Sequence, residues 1–261
     1  MTTARRRSKP SLFSKLRVFW IAALGAALAL GGTVVYALNW PGFRLGAVGV
    51  TGNAQVSRAT VLARAALERD RNIWLLDTRA AEGRIEQIPY VQRARVRRAF
   101  PNAVAVSIAE RAPYGCLRGS GGMVTIDPER RVLERECGPM PRPLFRLPEL
   151  APGAPGAFVR SEPLARLQAD AAALRREADP FVAFEYDRYG GLVATLASGI
   201  EVRFGSEGDL PEKLGLLDAI LARLGAGARL RAIDLRAPSA PVVEQRRPQH
   251  IQDSGPPHHN I

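Results

Sequence analysis

The longest uncharged segment of the chain lies near its N-terminus, from Val18 to Phe43. As a helix, these 26 residues would be about 39 Å long, enough to cross a hydrocarbon core of about 30 Å. Trp20 lies near one end of the segment, and Tyr36 and Trp40 lie near the other. Such amphipathic aromatic residues are enriched at both membrane–water interfaces. The pattern predicts a transmembrane helix over residues 18–40.

Beyond this helix, the hydrophobic pattern predicts a domain over residues 43–112 in the order strand, helix, helix, strand, strand. Strands are indicated where apolar residues alternate with polar ones, and helices where a capping residue precedes an apolar face. The predicted elements are Phe43–Thr51, a helix capped by Ser57, a helix capped by Asp77 or Thr78 that stops at Pro89, Val91–Ala99, and a strand through Val104, Val106 and Ile108.

Residues 113–244 have a mixed pattern, which predicts a second, β-rich domain and an α+β fold class for the whole chain. Residues 245–261 are polar and contain several prolines, so we expect a disordered tail. The predicted strands are Met123–Ile126, Val132–Glu136, Phe181–Asp187, Leu192–Ala197, Ile200–Phe204, Leu230–Arg236 and Val242-Val243, and the predicted helices run from Ser161 to about Ala178 and from Leu210 to Leu224.

The charge distribution predicts the orientation of the span in the membrane. Residues 1–17 contain six Lys and Arg residues and no acidic residue, which is half of the net charge of +12. Because positive flanks stay in the cytoplasm, we expect residues 1–17 to be a basic cytoplasmic tail and the body to be extracytoplasmic, a single-pass type II topology. Basic residues beside a membrane orient an anchor, so no nucleic-acid partner is expected.

A cleaved signal peptide is the alternative interpretation of the same segment. Val35-Tyr36-Ala37 places small residues at a spacing that a signal peptidase accepts. The apolar stretch is nevertheless longer than the usual signal core of about 7 to 15 residues. Length therefore favours an uncleaved anchor.

The distribution of reactive side chains argues against an enzyme. All three histidines, His250, His258 and His259, lie in the predicted tail, so the body has no imidazole for general-base or zinc chemistry. Two cysteines are too few for a four-ligand metal site, and no Walker loop or Gly-x-Ser-x-Gly motif occurs. We expect no catalytic, cofactor-binding or metal-binding residues. Acids beside arginines, such as Asp127 and Glu129, are expected to be solvated surface.

Cys116 and Cys137 are candidates for a disulfide if the body is extracytoplasmic. A bridge would close a loop of about 20 residues and add roughly 3 kcal/mol at most to the free energy of unfolding. Two unlinked thiols in neighbouring strands fit the same spacing, because the geometry that a disulfide needs cannot be read from spacing.

Taken in order, these motifs resemble the FtsQ family of bacterial cell-division proteins, called DivIB in some bacteria. The first domain resembles a POTRA domain of that family, and the likeness continues through the second domain over about residues 12–245. The motifs that carry it are Val48–Asn53, Pro89-Tyr90-Val91, Pro101-Asn102, Glu110–Pro113, Val124–Asp127 with Arg131–Leu133, Leu210–Leu217 and Ile233–Arg236.

The resemblance implies a non-enzymatic divisome scaffold in the bacterial cytoplasmic (inner) membrane at the division septum. Such a scaffold links early and late division proteins and helps control septal peptidoglycan synthesis. It also implies that the terminal strands of the second domain pair with a strand of FtsB, which is joined to FtsL. The corresponding partner-binding residues here are Arg236, Ala237, Ser239, Ala240, Val242 and Val243.

This sequence departs from the family pattern at the same segment. Many relatives have a tyrosine where this chain has Ala237, and Pro238 and Pro241 interrupt the strand that Leu235–Val243 is expected to form at the edge of the sheet. Proline removes a backbone donor, so pairing must be shorter or use the other register. A solvated edge charge is the alternative role for Arg236.

Two other classes of protein are alternatives to this scaffold. A POTRA protein of the outer-membrane assembly type would need a long barrel region that the second domain cannot supply. An anchored or secreted protein that binds an anionic polymer would need a basic face interleaved with aromatic residues. The best candidate for such a face is the cluster Arg93, Arg95, Arg97 and Arg98. A solvated strand face, or one that meets a protein, fits it better.

Overall fold

The computed structural model describes residues 12–138, 143–206, 208–225 and 228–246. The chain divides into two compact units between Glu110 and Arg111. The fold combines an N-terminal apolar helix, a unit in the order strand, helix, helix, strand, strand, and a β-rich region, which confirms the predicted α+β class.

Helix α1 covers Leu12–Asn39 and begins six residues before Val18. Its segment Leu16–Asn39 is long and apolar enough to cross a membrane. The helix ends against the folded part of the first unit, because the Asn72 side-chain amide donates to the Leu38 carbonyl at 2.7 Å. The helix and the first domain are thus joined by a hydrogen bond between backbone and side chain.

The remainder of the first unit has the predicted element order. Ser57 accepts a hydrogen bond from the Thr60 N–H, and Asp77, rather than Thr78, accepts one from Ala80. The sheet order is β1-β3-β2, with β1 parallel and β2 antiparallel to β3. The elements are a 3-10 helix at Pro41–Phe43, β1 (Ala47–Thr51), α2 (Arg58–Ala65), a 3-10 helix at Ile73–Leu75, α3 (Thr78–Glu86), β2 (Val91–Ala99) and β3 (Ala103–Glu110).

Buried and exposed residues alternate along β2 and β3, so one face of this sheet forms one side of a small hydrophobic core. The two helices close the core with residues one turn apart, Val61 and Ala65 on α2 and Ala81 and Ile85 on α3. The strand residues that meet them are Val91, Ala94, Val96, Val104, Val106 and Ile108. Arg93, Arg95 and Arg97 of β2 are exposed, whereas Arg98 reaches the carbonyls of Ile73 and Leu76 beside this core.

The second unit is one sheet of nine strands in the order β12-β11-β10-β9-β8-β7-β4-β5-β6. Its core contains the buried side chains of Phe145, Phe184, Phe204 and Leu217. The elements are β4 (Gly115–Gly119), β5 (Gly122–Ile126), β6 (Val132–Arg135), β7 (Leu144–Arg146), α4 (Glu162–Ala173), β8 (Phe181–Tyr186), β9 (Leu192–Leu196), β10 (Glu201–Gly205), α5 (Leu210–Leu224), β11 (Leu230–Asp234) and β12 (Val242–Gln245).

Two side-chain links stabilise the start of this unit. Cys116 of β4 forms a disulfide with Cys137, which follows β6, and their Cα atoms are 5.9 Å apart. The Arg111 guanidinium donates to Asp127 at 2.5 Å and to Glu129 at 2.7 Å. The expectation of solvated acids is therefore wrong for Asp127, which is buried with its arginine, and holds only for the half-exposed Glu129.

Candidate partner-binding edge

Strand β12, Val242–Gln245, lies at one edge of the nine-stranded sheet. In an edge strand, alternate residues direct their N–H and C=O groups away from the sheet, where a further strand can pair with them. The opposite edge is covered, because Val132 of β6 exchanges backbone hydrogen bonds with Ala157 at 2.9 Å and Gly156 at 2.8 Å. Strands β12 and β6 are the two edges of this sheet, and the backbone at 156–159 covers part of β6.

The edge strand confirms the strand predicted at Val242-Val243 and continues to Gln245. The prediction of one strand over Leu235–Val243 is wrong for Arg236–Ala240, which form a turn closed by a hydrogen bond from the Ala240 N–H to the Ala237 carbonyl at 3.0 Å. Pro238 and Pro241 explain the turn, since each fixes φ and lacks a backbone donor. Among the predicted contact residues, Arg236, Ala237, Ser239 and Ala240 therefore lie in the turn, and Val242 and Val243 begin β12.

The strand also continues beyond residue 244. Gln245 pairs with Leu230, and the Arg246 N–H donates to the Arg229 carbonyl at 2.8 Å. The predicted disordered tail, 245–261, thus begins with residues that belong to the sheet, and its remainder, 247–261, lies outside the described residues.

The two valines of the edge strand face opposite sides of the sheet. Val243 lies across from the fully buried Ile233 and packs against the core. Val242 lies across from Asp234 and is 56% exposed. A partner strand at this edge would therefore meet the side chain of Val242 on the polar face.

Charged side chains on that polar face connect three strands. Arg203 of β10 donates to Glu201 at 2.7 Å and, across β11, to Glu244 of β12 at 2.9 Å. Hydrogen bonding to Glu201 raises the pKa of Arg203 above its ordinary value. The hydrogen bonds from Arg236 hold the pKa of the Asp234 carboxyl below its ordinary value. The polar face is thus a network of paired charges beside the open edge.

Arg236 is held in place by Asp234 and by a glycine. Its Nε donates to both Asp234 oxygens at 3.0 Å. Gly205 has φ 72°, and a Cβ at that position would lie 2.9 Å from the Arg236 Cγ. The observed position of the Arg236 side chain therefore requires glycine at position 205. Its own side chain is 52% exposed, so it combines a fixed ion pair with an accessible guanidinium.

A neighbouring hairpin adds an aromatic side chain to the same surface. Asp187 accepts hydrogen bonds from the Tyr189 and Gly191 N–H groups, both at 2.8 Å, and so shapes the turn between β8 and β9. Tyr189 is 77% exposed, and the Arg188 guanidinium lies 4.7 Å from the centre of its ring. A shallow groove brings these two residues together with Arg203 and Arg236.

We call the combination of β12, the turn 236–240, Arg203 and Tyr189 the C-terminal edge surface. Sequence reasoning found the first two parts of it and missed Arg203 and Tyr189. The alternation of charged and apolar residues in Glu201-Val202-Arg203-Phe204 was a signal for an exposed charged face on β10. No comparable signal marked Tyr189, because an exposed turn tyrosine is common.

The arginine-bearing strand β2 offers a less open edge. The Ala94 N–H donates to Glu86 at 3.0 Å, and the Val96 N–H donates to Glu82 at 2.7 Å, so carboxylates of α3 already occupy outward donors of this strand. Arg98 donates to the Ile73 and Leu76 carbonyls, both at 2.6 Å. The candidate basic face therefore has acidic neighbours, and one of its arginines is engaged by the fold.

The part of the chain that the structure describes contains no group of three His, Cys, Asp or Glu residues that could hold a metal ion. The three histidines lie outside the described residues. What the edge surface offers is a row of backbone donors and acceptors, fixed charges and exposed apolar groups, which suit recognition of a peptide strand.

Comparisons with known proteins concern the family of the chain. Residues 43–111 match the family model described as POTRA domain, FtsQ-type. The chain is 32% identical over 239 residues to the cell division protein FtsQ of Myxococcus fulvus, which covers 85% of this chain and 81% of the relative. It is 28% identical over 255 residues to the cell division protein FtsQ of Mycobacterium tuberculosis, covering 92% of this chain and 77% of the relative.

Proposed function

Because the chain belongs to the FtsQ family of cell-division proteins, we propose that it is a non-enzymatic divisome scaffold. In this role it links early and late division proteins and helps control septal peptidoglycan synthesis. The family relationship supports a part in cell division and interactions with other divisome proteins. The N-terminal apolar helix supports a single-pass membrane anchor.

The partners that we propose for the C-terminal edge surface are homologues of FtsB and, through it, FtsL. A strand of the FtsB homologue would add to the sheet beside β12, with backbone hydrogen bonds for affinity and side-chain contacts for selectivity. The observation that carries this proposal is the open edge of β12 in a member of the FtsQ family. Since β12 covers only Val242–Gln245, the added strand pairs over a short length.

The order along the chain gives the proposed organisation. Residues 1–17 form the cytoplasmic tail, 18–40 the membrane span, 43–112 the POTRA domain and 113–244 the β domain, with the body outside the cytoplasmic membrane at the septum. A fluorescent protein fused before Met1 tests the location in dividing cells. A mid-cell band is the expected result, and uniform membrane fluorescence in constricting cells would contradict a septal role.

Capture of the purified FtsB and FtsL homologues tests the binding edge. Val242→Arg places a charge on an exposed residue of β12, and it should abolish most of the capture because the partner strand must lie beside this side chain. Leu224→Arg is the matched control, since Leu224 is an exposed apolar residue at the end of α5, on the core side of the sheet.

Two deletions complete the test. Removing 247–261 leaves all of β12 and should not change capture, whereas removing 242–261 deletes the edge strand and should abolish it. Full capture by both the 242–261 deletion and Val242→Arg would place the interface elsewhere. The alternating buried residues of the POTRA domain belong to a separate unit, so its near-ultraviolet dichroism provides a folding control for the deletions.

A further inference from the structure

Aromatic side chains from three separate segments gather where α1 ends. The Phe43 ring lies 5.1 Å from the Trp40 ring, 6.5 Å from Trp74 and 5.9 Å from Phe100, measured between ring centres. These rings do not form a buried core, because Trp40 is 48% exposed, Trp74 51% and Phe100 74%. We call these four residues, with the half-exposed Leu75, the juxtamembrane patch.

The backbone around the patch is tied to the end of the membrane helix. Asn72, next to Trp74, is buried and donates to the Leu38 carbonyl of α1 at 2.7 Å. The Leu45 N–H donates to the Arg71 carbonyl at 3.1 Å, which fixes the chain that leaves the helix beside the same loop. The patch is thus held at the end of the span.

Arg98 fixes the loop of the patch to its sheet. Its guanidinium donates to the carbonyls of Ile73 and Leu76, which flank the exposed pair Trp74 and Leu75. Arg98 also lies two residues before Phe100, so one side chain joins the two POTRA segments of the patch. A large exposed apolar surface held this firmly indicates a surface that something covers.

We propose that the juxtamembrane patch is inserted into the interfacial region of the bilayer that α1 crosses, so that the POTRA domain is docked on the membrane surface. Continuity with the span carries this choice, because Trp40 directly follows the last residue of α1. Tryptophan and other aromatic rings prefer the headgroup level of a bilayer. Arg44 is exposed and its backbone bridges to Asn72, so it is placed to meet lipid phosphates.

The proposal does not depend on which divisome partners the protein binds. A protein partner is the other occupant that an apolar patch of this kind could have, and the experiment must separate it from lipid. The purified chain in a defined bilayer does so, because lipid is then the one apolar surface offered besides the chain itself.

Tryptophan quenching by brominated lipid measures the contact directly. The full chain is reconstituted into vesicles of phosphatidylcholine and phosphatidylglycerol, with the phosphatidylcholine either unmodified or brominated on its acyl chains near the headgroup. Trp20→Phe and Trp40→Phe together leave Trp74 as the single tryptophan. Trp20→Phe and Trp74→Phe leave Trp40, next to the span, as the reference for a residue at the interface.

The matched negative control is Gln55→Trp in a chain with all three natural tryptophans replaced by phenylalanine. Gln55 is exposed, and its N–H donates to Glu110 at 2.8 Å, at the far end of β3 from Phe100. Strand β3 has 8 residues, which corresponds to a separation of about 25 Å along the strand. A fourth chain carries Phe100→Trp in the same tryptophan-free background.

The expected result is that Trp74 and the tryptophan introduced at Phe100 lose as large a fraction of their emission as Trp40 does. The Gln55→Trp chain should lose little. If the emission from either patch position falls no more than that of Gln55→Trp, the patch does not contact lipid and the proposal is wrong. We expect these variants to keep the fold, because the natural aromatic residues are exchanged for other aromatic residues and Gln55 is exposed. Circular dichroism of each chain verifies this.

Discussion

At the scale of single residues, the C-terminal edge surface depends on side chains that are fixed before any partner binds. Arg236 is bound to Asp234 through both carboxylate oxygens, while half of its side chain remains exposed. A guanidinium held in one position has lost part of its rotamer entropy during folding, so less is lost on binding. Arg236 is therefore both a paired charge and an accessible donor. The role of a solvated edge charge and the role of a partner-binding residue are thus compatible.

Replacing Gly205 by alanine should disturb this arrangement. The residue has φ 72°, and the added Cβ would meet the Arg236 side chain at 2.9 Å, so we expect a loss of about 1 to 3 kcal/mol in the free energy of unfolding. Urea denaturation measures it. Gly208→Ala is the control, because nothing lies within 4 Å of a Cβ built there. Equal stability of the two variants would contradict the constraint assigned to Gly205.

The Asp234–Arg236 pair should make stability depend on pH. The folded-state pKa of Asp234 is lowered, chiefly by the hydrogen bonds from Arg236. Its contribution is therefore present above the unfolded pKa of about 3.9 and is lost as the pH falls through the lower, folded value. Since half of the Arg236 side chain is exposed, the contribution should be small.

Asp234→Asn measures that contribution. The difference in free energy of unfolding between the natural chain and the variant should be largest near neutral pH and should shrink under acid. Arg236→Ala removes the same pair and should show the same pH dependence. A difference that grows as the pH falls would reverse the assigned direction of the pKa shift.

At the scale of elements, local signals predicted the POTRA domain well and the partner edge less well. The caps Ser57 and Asp77 and the alternating strand β2 depend on neighbours in sequence, so the pattern contains them. Pro238 and Pro241 are local signals for the turn at 236–240. The family pattern, in contrast, favours a strand over the same residues.

Other elements depend on contacts that no local pattern shows. Strand β4 is bounded by glycines, and the three-residue β7 becomes a strand through parallel pairing with β4 and β8. Neither was predicted. Helix α4 ends at Ala173 instead of about Ala178. The covering of the β2 edge by Glu82 and Glu86 likewise requires α3 and β2 to be packed together before it can be recognised.

The disulfide is the covalent link between β4 and the segment that follows β6. It joins residues 21 positions apart, and a loop of that size corresponds to about 3 kcal/mol in the free energy of unfolding. Cys116→Ser with Cys137→Ser should lower stability by that order in urea denaturation. Dithiothreitol should lower the stability of the natural chain towards that of the double variant and leave the variant unchanged. A reductant effect of the same size on the variant would show that the bridge is not its cause.

At the scale of the whole molecule, the charge and the cores are distributed between different parts. Half of the net charge lies in the first 17 residues, whereas each compact unit has its own hydrophobic core. In the proposed topology, the basic tail orients the chain at the membrane and the folded units supply the binding surfaces. This division suits the proposed anchored scaffold, whose binding surfaces would fold on the far side of the membrane from its basic tail.

The topology of the anchor follows from the same distribution and can be tested by fusion. Alkaline phosphatase attached after Arg246 should be active, because the basic residues before α1 keep the N-terminus in the cytoplasm and send the body across. Phosphatase attached after Arg17, without the apolar segment that begins at Val18, should be inactive. The mature protein should also retain residues 1–17, since the end of α1 is bound by Asn72 through the Leu38 carbonyl and is continuous with the folded body. Sequencing the N-terminus of the protein from the membrane and soluble fractions decides between an anchor and a signal peptide. A soluble form that begins at Leu38 would show that the helix is removed. The docking proposed for the juxtamembrane patch would then lose its membrane span.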